Sequence, residues 1–222
     1  MKKTMNTLLC ALTVGALTTV GCGDGNSAHS SDHSEHHAEG HGHGMEYDST
    51  AVETRHYEQE KHLTNVRQLT YGGDNAEAYW SFDDQHLVFQ STNPKWGVSC
   101  DQIYVMNLNG MKPDSTPPAM ASTGLGRTTC AYFMPGDSTI LYASTHLADT
   151  LCPEVPERIS GRYVWPIYAS YDIFEADLKG NIVRQLTTGA GYDAEATLSP
   201  NGDKIVFTST RSGDLELYTM NI

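Results

Sequence analysis

This chain of 222 residues has little positive charge, and it has no long apolar run beyond its first twenty residues. Its Lys and Arg number 14 against 27 Asp and Glu, which gives a formal net charge of −13. Such an acidic chain is a poor candidate for binding nucleic acid or anionic lipid surfaces. No later segment approaches the roughly 20 consecutive apolar residues that a membrane-spanning helix needs.

Catalytic signatures are also missing. The sequence contains no Gly-x-Ser-x-Gly nucleophile elbow, no His-Glu-x-x-His pair and no phosphate loop. Sustained helical periodicity is absent as well. These absences argue against the common hydrolase, metalloprotease and nucleotide-binding classes, so function has to be sought in loops on a scaffold of short strands.

The N-terminus has the features of an export signal. A positively charged start precedes an apolar run from Leu8 to Val20, which is short and interrupted by Thr and Gly. The run ends in Thr-Val-Gly before Cys22, and small residues there resemble a bacterial lipobox, although Thr19 replaces the usual Leu. We predict a lipoprotein-type signal peptide over residues 1–21 and lipidation of Cys22, with ordinary secretory cleavage as the alternative. Cleavage leaves 222 − 21 = 201 residues, and loss of two lysines changes the formal charge from −13 to −15.

Residues 22–63 are predicted to be a disordered, His-rich tether. Residues 23 to about 50 contain too few large apolar residues to offset the entropy of ordering. Residues 51–63 are charged and either continue the tether or form a short helix. Neutral imidazoles beside carboxylates suit weak binding of Zn²⁺, Ni²⁺ or Cu²⁺, but their spacing matches no fixed tetrahedral site. We favour a spacer over metal capture and predict no other cofactor. The candidate ligands are His29, His33, His36, His37, His41 and His43.

From Asn65 onward the sequence repeats one pattern of short strands. The first copy reads RQLTYGGDNAEAYWSFDDQHLVFQST followed by CDQIYVMN, and the third reads RQLTTGAGYDAEATLSPNGDKIVFTST followed by DLELYTMN. A diverged copy between them reads TTCAYFMPGDSTILYAST and later YDIFEADLKGN. Tight-turn sequences such as PGD and PNGD separate the strands. A spaced repeat of this kind indicates an array of small sheets, each too small to bury a core alone.

The repeat resembles the blade of the TolB-like six-bladed β-propellers, which are relatives of the WD-repeat proteins. The resemblance is carried by SPNGD, KIVFTST, LELYTMN and RQLT, and it covers residues 65–222. It implies an all-β propeller domain over residues 64–222, with blades at about 75–122, 127–188 and 192–222. In such blades RQLT is the outer strand, and the third copy lacks one.

About three blades are too few to close a six-bladed ring, so the propeller is predicted to be incomplete. We favour a truncated product over half of a ring that another chain completes. The predicted strands are Glu77–Ser81, His86–Ser91, Asp101–Asn107 and one near Ala119 in blade one; Cys130–Met134, Thr139–Ser144, Tyr171–Asp177 and Ile182–Thr187 in blade two; and Glu195–Ser199, Lys204–Ser209 and Leu215–Asn221 in blade three.

One face of the blades is predicted to be the binding face. Strands alternate in direction, so the starts of first strands and the loops between second and third strands gather there. A long insertion from about His146 to Ser170 lies on this face, and its prolines and aromatics fit either an ordered binding loop or a cap over the blade. The predicted binding-face residues are Glu77, Arg127, His146, Arg162, Trp165, Tyr192, Asp193 and Glu195.

This face carries two carboxylates that are candidates for catalysis or cation binding, and three cysteines that are candidates for a disulfide. Glu77 and Glu195 occupy equivalent positions and could act as acid and base or bind a cation, but recurrence within a repeat favours structural hydrogen bonds. The exported compartment permits disulfides, and three cysteines cannot all pair. We predict a Cys130–Cys152 disulfide within one blade, with Cys100–Cys130 as the rival.

The sequence therefore predicts a non-enzymatic lipoprotein of the bacterial cell envelope, facing the periplasm and anchored in the outer membrane, whose propeller face binds a protein or peptide. The resemblance implies work with envelope complexes of the Tol–Pal kind. One alternative is a propeller lyase or hydrolase that uses Glu77, Glu195 and His146. Another is metal capture by the His-rich tether.

Overall fold

The computed structural model describes residues 57–64, 66–109, 116–157, 160–162 and 164–222. The predicted signal peptide, Cys22 and the six tether histidines lie outside these ranges. The described residues form β-strands and one 3-10 turn at Pro94–Trp96. Within them no helix is long and apolar enough to cross a membrane.

The strands form three antiparallel sheets, which we call blades one, two and three. Each blade is a meander in which neighbouring strands in the chain are neighbours in the sheet. Blade one contains β1 (Asp74–Trp80), β2 (His86–Thr92), β3 (Gln102–Asn107) and β4 (Ala119–Met120). Blade two contains β5 (Thr128–Phe133), β6 (Thr139–Ser144), β7 (Asp172–Asp177) and β8 (Ile182–Gln185). Blade three contains β9 (Asp193–Leu198), β10 (Lys204–Ser209) and β11 (Glu216–Asn221).

The all-β prediction is confirmed, and each predicted strand has a counterpart in the structure. The main difference is that the first strand of every blade begins two or three residues earlier than predicted. A β-bulge lies within each of these strands and breaks the two-residue alternation that the prediction followed. The alternation pattern therefore could not predict the first two or three residues of these strands.

The blades pack face to face, with blade two in the middle. Alternate residues of β6 point to opposite sides, as the strand period of two requires. Ile140 and Tyr142 pack with blade one, and Leu141 and Ala143 pack with blade three. Both faces of blade two are therefore buried, so its strands carry apolar residues on both sides.

The tight turns between first and second strands hold the blades together on the face opposite the predicted binding face. The carboxylate of Asp137 accepts hydrogen bonds from the backbone N–H groups of Phe82 and Asp83, at 2.8 and 3.0 Å. Gly202 approaches Pro135 so closely that an added Cβ would lie 2.7 Å from its Cγ. The first contact joins blades one and two, and the second joins blades two and three.

Candidate functional site

The same backbone irregularity recurs in the first strand of all three blades. Glu77, Cys130 and Glu195 have φ values of 52°, 33° and 57°, in the left-handed region that only glycine adopts without strain. Each lies at a register shift in the pairing of β1, β5 or β9 with the following strand. The repeat therefore places three equivalent bulges, with two carboxylates and one thiol, at corresponding points of three blades.

Glu195 joins blade three to blade two. Its carboxylate accepts from the hydroxyl of Tyr192 at 2.9 Å and from the thiol of Cys130 at 2.8 Å. A longer contact of 3.4 Å comes from the hydroxyl of Thr129. Both oxygens of Glu195 are occupied, so the side chain acts as an acceptor between two blades.

Cys130 in turn contacts blade one. Its backbone N–H donates to Oε1 of Gln90 at 3.0 Å. Burial, followed by the negative charge of Glu195, raises the pKa of the Cys130 thiol. The thiol therefore stays protonated at neutral pH, a state in which it is a donor and not a nucleophile.

Glu77 makes a simpler contact than Glu195. It accepts one hydrogen bond from the hydroxyl of Tyr79 at 3.0 Å. Burial, and then this contact with the carboxylate, raise the pKa of Tyr79 to about 12. Both carboxylates thus accept bonds from neighbouring side chains, which is the structural role favoured by the repeat.

A small cleft of about 90 Å³ opens beside Glu77. Arg127 and Asp101 form an ion pair in its wall, between blade two and blade one. The Nε of Arg127 is buried and has no hydrogen-bond partner among the described residues. The remaining lining residues are Gln90, Thr128, Thr129, Trp165, Pro166, Tyr171 and Tyr192.

The insertion between β6 and β7 reaches this cleft. Trp165 and Pro166 line it, although Trp165 keeps 56% of its surface exposed. The hydroxyl of Tyr168 donates to the carbonyl of Glu154 at 2.7 Å, which joins the two arms of the insertion. The insertion therefore covers part of the blade, as the cap interpretation requires, and whether its exposed side chains bind a partner stays a prediction.

The disulfide prediction was wrong. Cys100 pairs with Cys152, and Cys130 is a free, buried thiol. The bulge places the Cys130 side chain against Glu195, while the loop before β3 places Cys100 beside the insertion. Two cysteines on the same face can thus have side chains that do not meet. A disulfide forms only where the Cα atoms lie close together, and those of Cys100 and Cys152 are 5.9 Å apart.

The predicted binding-face residues do not all meet at the cleft. Glu77, Arg127, Trp165 and Tyr192 line it. Asp193 instead pairs with Arg211 at 2.9 Å within blade three. Arg162 is exposed and is not part of the cleft wall.

His146 packs against strands β6 and β7 of blade two. Its ring centre is 4.5 Å from that of Phe174, and its Nδ1 lies 2.9 Å from the hydroxyl of Ser144. Burial lowers the pKa of His146. The structure therefore does not bring this imidazole to Glu77 in the wall of the cleft.

Sequence reasoning missed a group of exposed apolar side chains on the same face. They belong to the loop before β5 and to the insertion, two segments joined by the hydrogen bond from the N–H of Gly126 to the carbonyl of Thr150 at 2.9 Å. We call them, together with Trp165, the apolar rim. The added members are Leu125, Leu147, Leu151, Val155 and Ile167, with exposures of 44%, 63%, 70%, 68% and 46%. For all of them except Leu125, their position in a Pro-rich insertion was the available signal.

Within the described ranges, no group of three or more His, Cys, Asp and Glu side chains is arranged to hold a metal ion. The stacked antiparallel sheets define a repeat protein whose loops gather around a shallow cleft. No protein-family model matches the sequence.

Among solved structures, the chain is similar to TolB from Acinetobacter baumannii, with 19% identity and a TM-score of 0.45. That match covers 71% of this chain and 32% of the other. It is also similar to a protein assigned as TolB from Agrobacterium tumefaciens, with 18% identity, a TM-score of 0.31, and coverage of 67% and 58%. The chain thus spans about a third of the first and less than two thirds of the second.

Proposed function

We propose that this chain is a non-enzymatic, TolB-like protein of the bacterial cell envelope that binds a protein or peptide through the apolar rim and its cleft. The observation that carries the proposal is the apolar rim itself. Its exposed apolar side chains lie on two hydrogen-bonded segments of one face, and large apolar surface that gathers on one face marks an interaction site. The aromatic wall of the adjoining cleft adds the residue types that anchor interfaces.

The size of the cleft supports a macromolecular partner over a small substrate. Its volume of about 90 Å³ is well below the roughly 300–1,000 Å³ of ordinary small-molecule pockets. A partner side chain could enter it while the rest of the partner covers the apolar rim. The Cys100–Cys152 disulfide ties the insertion to blade one and so limits the ordering cost of binding.

The structure does not bring the three groups of the enzyme alternative, Glu77, Glu195 and His146, together in one site. The carboxylate oxygens of Glu195 accept from neighbouring side chains, and His146 packs against Phe174. A triple alanine variant of Glu77, Glu195 and His146 that keeps its fold and shows an unchanged phenotype in the native host would remove the enzyme alternative.

Two matched tryptophans give a direct test of the docking surface. Trp165 is 56% exposed in the apolar rim, and Trp80 is 55% exposed at the far end of β1. A photo-reactive residue at position 151 should crosslink one protein partner in the native envelope. Trp165→Ala should lower that crosslink at least tenfold, because loss of a hot-spot tryptophan costs about 2 kcal/mol or more.

The control is Trp80→Ala, which should leave the crosslink unchanged. Equal loss in both variants, or no crosslink from position 151, would contradict the proposal.

Envelope location and the lipid anchor rest on the N-terminal sequence. Labelling with a radioactive fatty acid should mark the wild-type protein and should not mark Cys22→Ala. An unlabelled mature wild-type protein would remove the anchor but leave the docking surface. Metal capture by the tether stays a separate prediction, tested by Zn²⁺ calorimetry with and without residues 29–43.

A further inference from the structure

The cleft beside the apolar rim holds one carboxylate that no described cation balances. Glu77 and Asp101 supply the carboxylates of its wall. The oxygens of Asp101 accept from Nη1 of Arg127 and from the hydroxyl of Thr92. Glu77 is exposed, and its Oε2 accepts from the hydroxyl of Tyr79 at 3.0 Å. Among the described residues no Lys, Arg or His side chain pairs with Glu77, so the wall of the cleft has a net negative charge.

Glu195 adds negative charge behind the same wall. It accepts from the hydroxyls of Tyr192 and Thr129, at 2.9 and 3.4 Å, and both of these residues line the cleft. Its charge is therefore one hydrogen bond away from the cleft, in a partly buried setting where water and salt screen charges less than at the open surface. A cation that enters the cleft is attracted by Glu77 and Glu195 together.

Much of the remaining wall is aromatic. Trp165, Tyr171 and Tyr192 line the cleft, and the rings of Tyr171 and Tyr192 meet edge to face with their centres 5.5 Å apart. The indole N–H of Trp165 donates to the hydroxyl of Tyr192, which joins the insertion to the start of blade three. Aromatic rings attract ammonium and guanidinium groups through the negative potential of their faces. The aromatic wall and the carboxylate therefore favour the same kind of ligand.

Blade three already contains one basic side chain held by this combination of groups. The guanidinium carbon of Arg211 lies 4.9 Å from the ring centre of Phe207 and 5.1 Å from that of Tyr218. The same guanidinium pairs with the carboxylate of Asp193 at 2.9 Å. A basic side chain is thus bound within this chain by aromatic rings and a carboxylate, and the cleft offers the same groups to a partner.

The shape of the cleft and the contacts of Arg127 disfavour an acidic or bulky anchor. A volume of about 90 Å³ suits an unbranched stem better than a large aromatic side chain. Nη1 of Arg127 is already paired with Asp101, and its Nε is buried away from solvent. A partner carboxylate would also be repelled by Glu77 in the same wall.

We propose that the partner side chain that enters the cleft is basic. Its ammonium or guanidinium group pairs with Oε1 of Glu77, and its aliphatic stem packs against the aromatic wall, as the long stems of Lys and Arg do on apolar surface. The inference rests on the proposed docking function and names the chemistry of the anchor. The formal charge of −13 on the chain favours encounter with a basic segment of the partner.

Titration with small probes tests the chemistry of the cleft on the purified chain. Butylguanidinium and butylammonium should shift the indole N–H resonance of Trp165 saturably and leave that of Trp80 unchanged. Both cations should bind about tenfold more tightly than neutral butyramide, because butyramide lacks the charge that pairs with Glu77. Equal binding of butyramide, tighter binding of the anionic butyrate, or no shift with either cation would overturn the proposal.

Two variants of similar shape to the wild type locate the interaction. Glu77→Gln keeps an acceptor for Tyr79 and should weaken the binding of both cations about tenfold. Glu154→Gln is the matched control, because it removes the same charge from an exposed residue of the insertion outside the cleft wall, and it should change binding by less than about twofold. Equal weakening in the two variants would show attraction by the whole face and would overturn the pairing with Glu77.

The crosslink from position 151 separates this inference from the proposed function. Glu77→Gln should lower the crosslink about tenfold, whereas Glu154→Gln should leave it within about twofold of the wild type. A crosslink that is lost in Trp165→Ala but unchanged in Glu77→Gln would keep the docking surface and overturn the basic anchor. Absence of the crosslink in the wild type would contradict the proposed function, and the probe titration would still decide the chemistry of the cleft.

Discussion

At the residue scale, the fold depends on strained positions that the repeat reuses. A non-glycine residue in the left-handed region costs on the order of 1–3 kcal/mol. Glu77, Cys130 and Glu195 all carry this strain. At Cys130 and Glu195 it is offset by hydrogen bonds to the next blade. The bulges thus place Cys130 and Glu195 in contact with a neighbouring blade, whereas Glu77 contacts Tyr79 in its own strand.

The two bulge carboxylates allow a matched comparison. Glu195→Ala should lower the free energy of unfolding by about 1–3 kcal/mol, because the Cys130 thiol and the Tyr192 hydroxyl lose their acceptor. Glu77→Ala has the same backbone strain but removes only the contact with the partly exposed Tyr79, so its effect should be smaller. Urea unfolding of both variants measures the difference. An equal loss in the two would contradict the role of Glu195 as a bridge between blades.

At the element scale, the insertion between β6 and β7 is held in two ways. Trp165 and Pro166 line the cleft, and Cys152 joins the insertion to Cys100 in the loop before β3. The disulfide spans 52 residues of chain and connects blade two to blade one. It therefore fixes the apolar rim relative to the stacked sheets.

Cys100→Ser should destabilise the protein by about 2–4 kcal/mol, the usual range for a native disulfide. It should also make the insertion more sensitive to limited proteolysis, since one of its two attachments is lost. Cys130→Ser is the control, because that residue forms no disulfide. Peptide mapping without reduction should recover Cys100 linked to Cys152, and a linkage involving Cys130 would contradict the structure.

At the scale of the whole molecule, buried thiol and phenol groups make the free energy of unfolding depend on pH in the alkaline range. Burial is the largest cause of the raised pKa of Cys130, Tyr142, Tyr171 and Tyr192. It raises the pKa of Tyr142 to about 12. The unfolded chain releases these protons near the ordinary values of 9.0 for Cys and 10.0 for Tyr. Above these pH values the folded protein therefore binds more protons than the unfolded chain.

The sign of this linkage gives a prediction. The free energy of unfolding should be constant, as far as these groups are concerned, below about pH 9, and should fall as the pH rises from 9 toward 12. Urea midpoints between pH 8 and 11 measure the slope. Cys130→Ala removes one raised group and prevents thiol–disulfide exchange, so its slope should be shallower. A midpoint that rises with pH in this interval would contradict the assignment.

Much of the fold could be predicted from alternation and turn residues. The strand KIVFTS and the turn PNGD identify a hairpin without any tertiary information, because period and turn chemistry are local. The face on which Glu77, Arg127 and Tyr192 gather also followed from strand direction. The disulfide could not be predicted, because a β-bulge redirects Cys130 and the distance between cysteines depends on how the blades stack.

The sequence by itself determined a repeat of short antiparallel strands, the order of strands in each sheet and the face that bears the loops. These follow from local alternation, from turn residues and from recurrence, which act over a few residues. Tertiary structure alone decided that Cys100 pairs with Cys152, that Glu195 links two blades and that the insertion exposes an apolar rim. Those features depend on distances between segments far apart in the chain, which only the packing of one blade on the next sets.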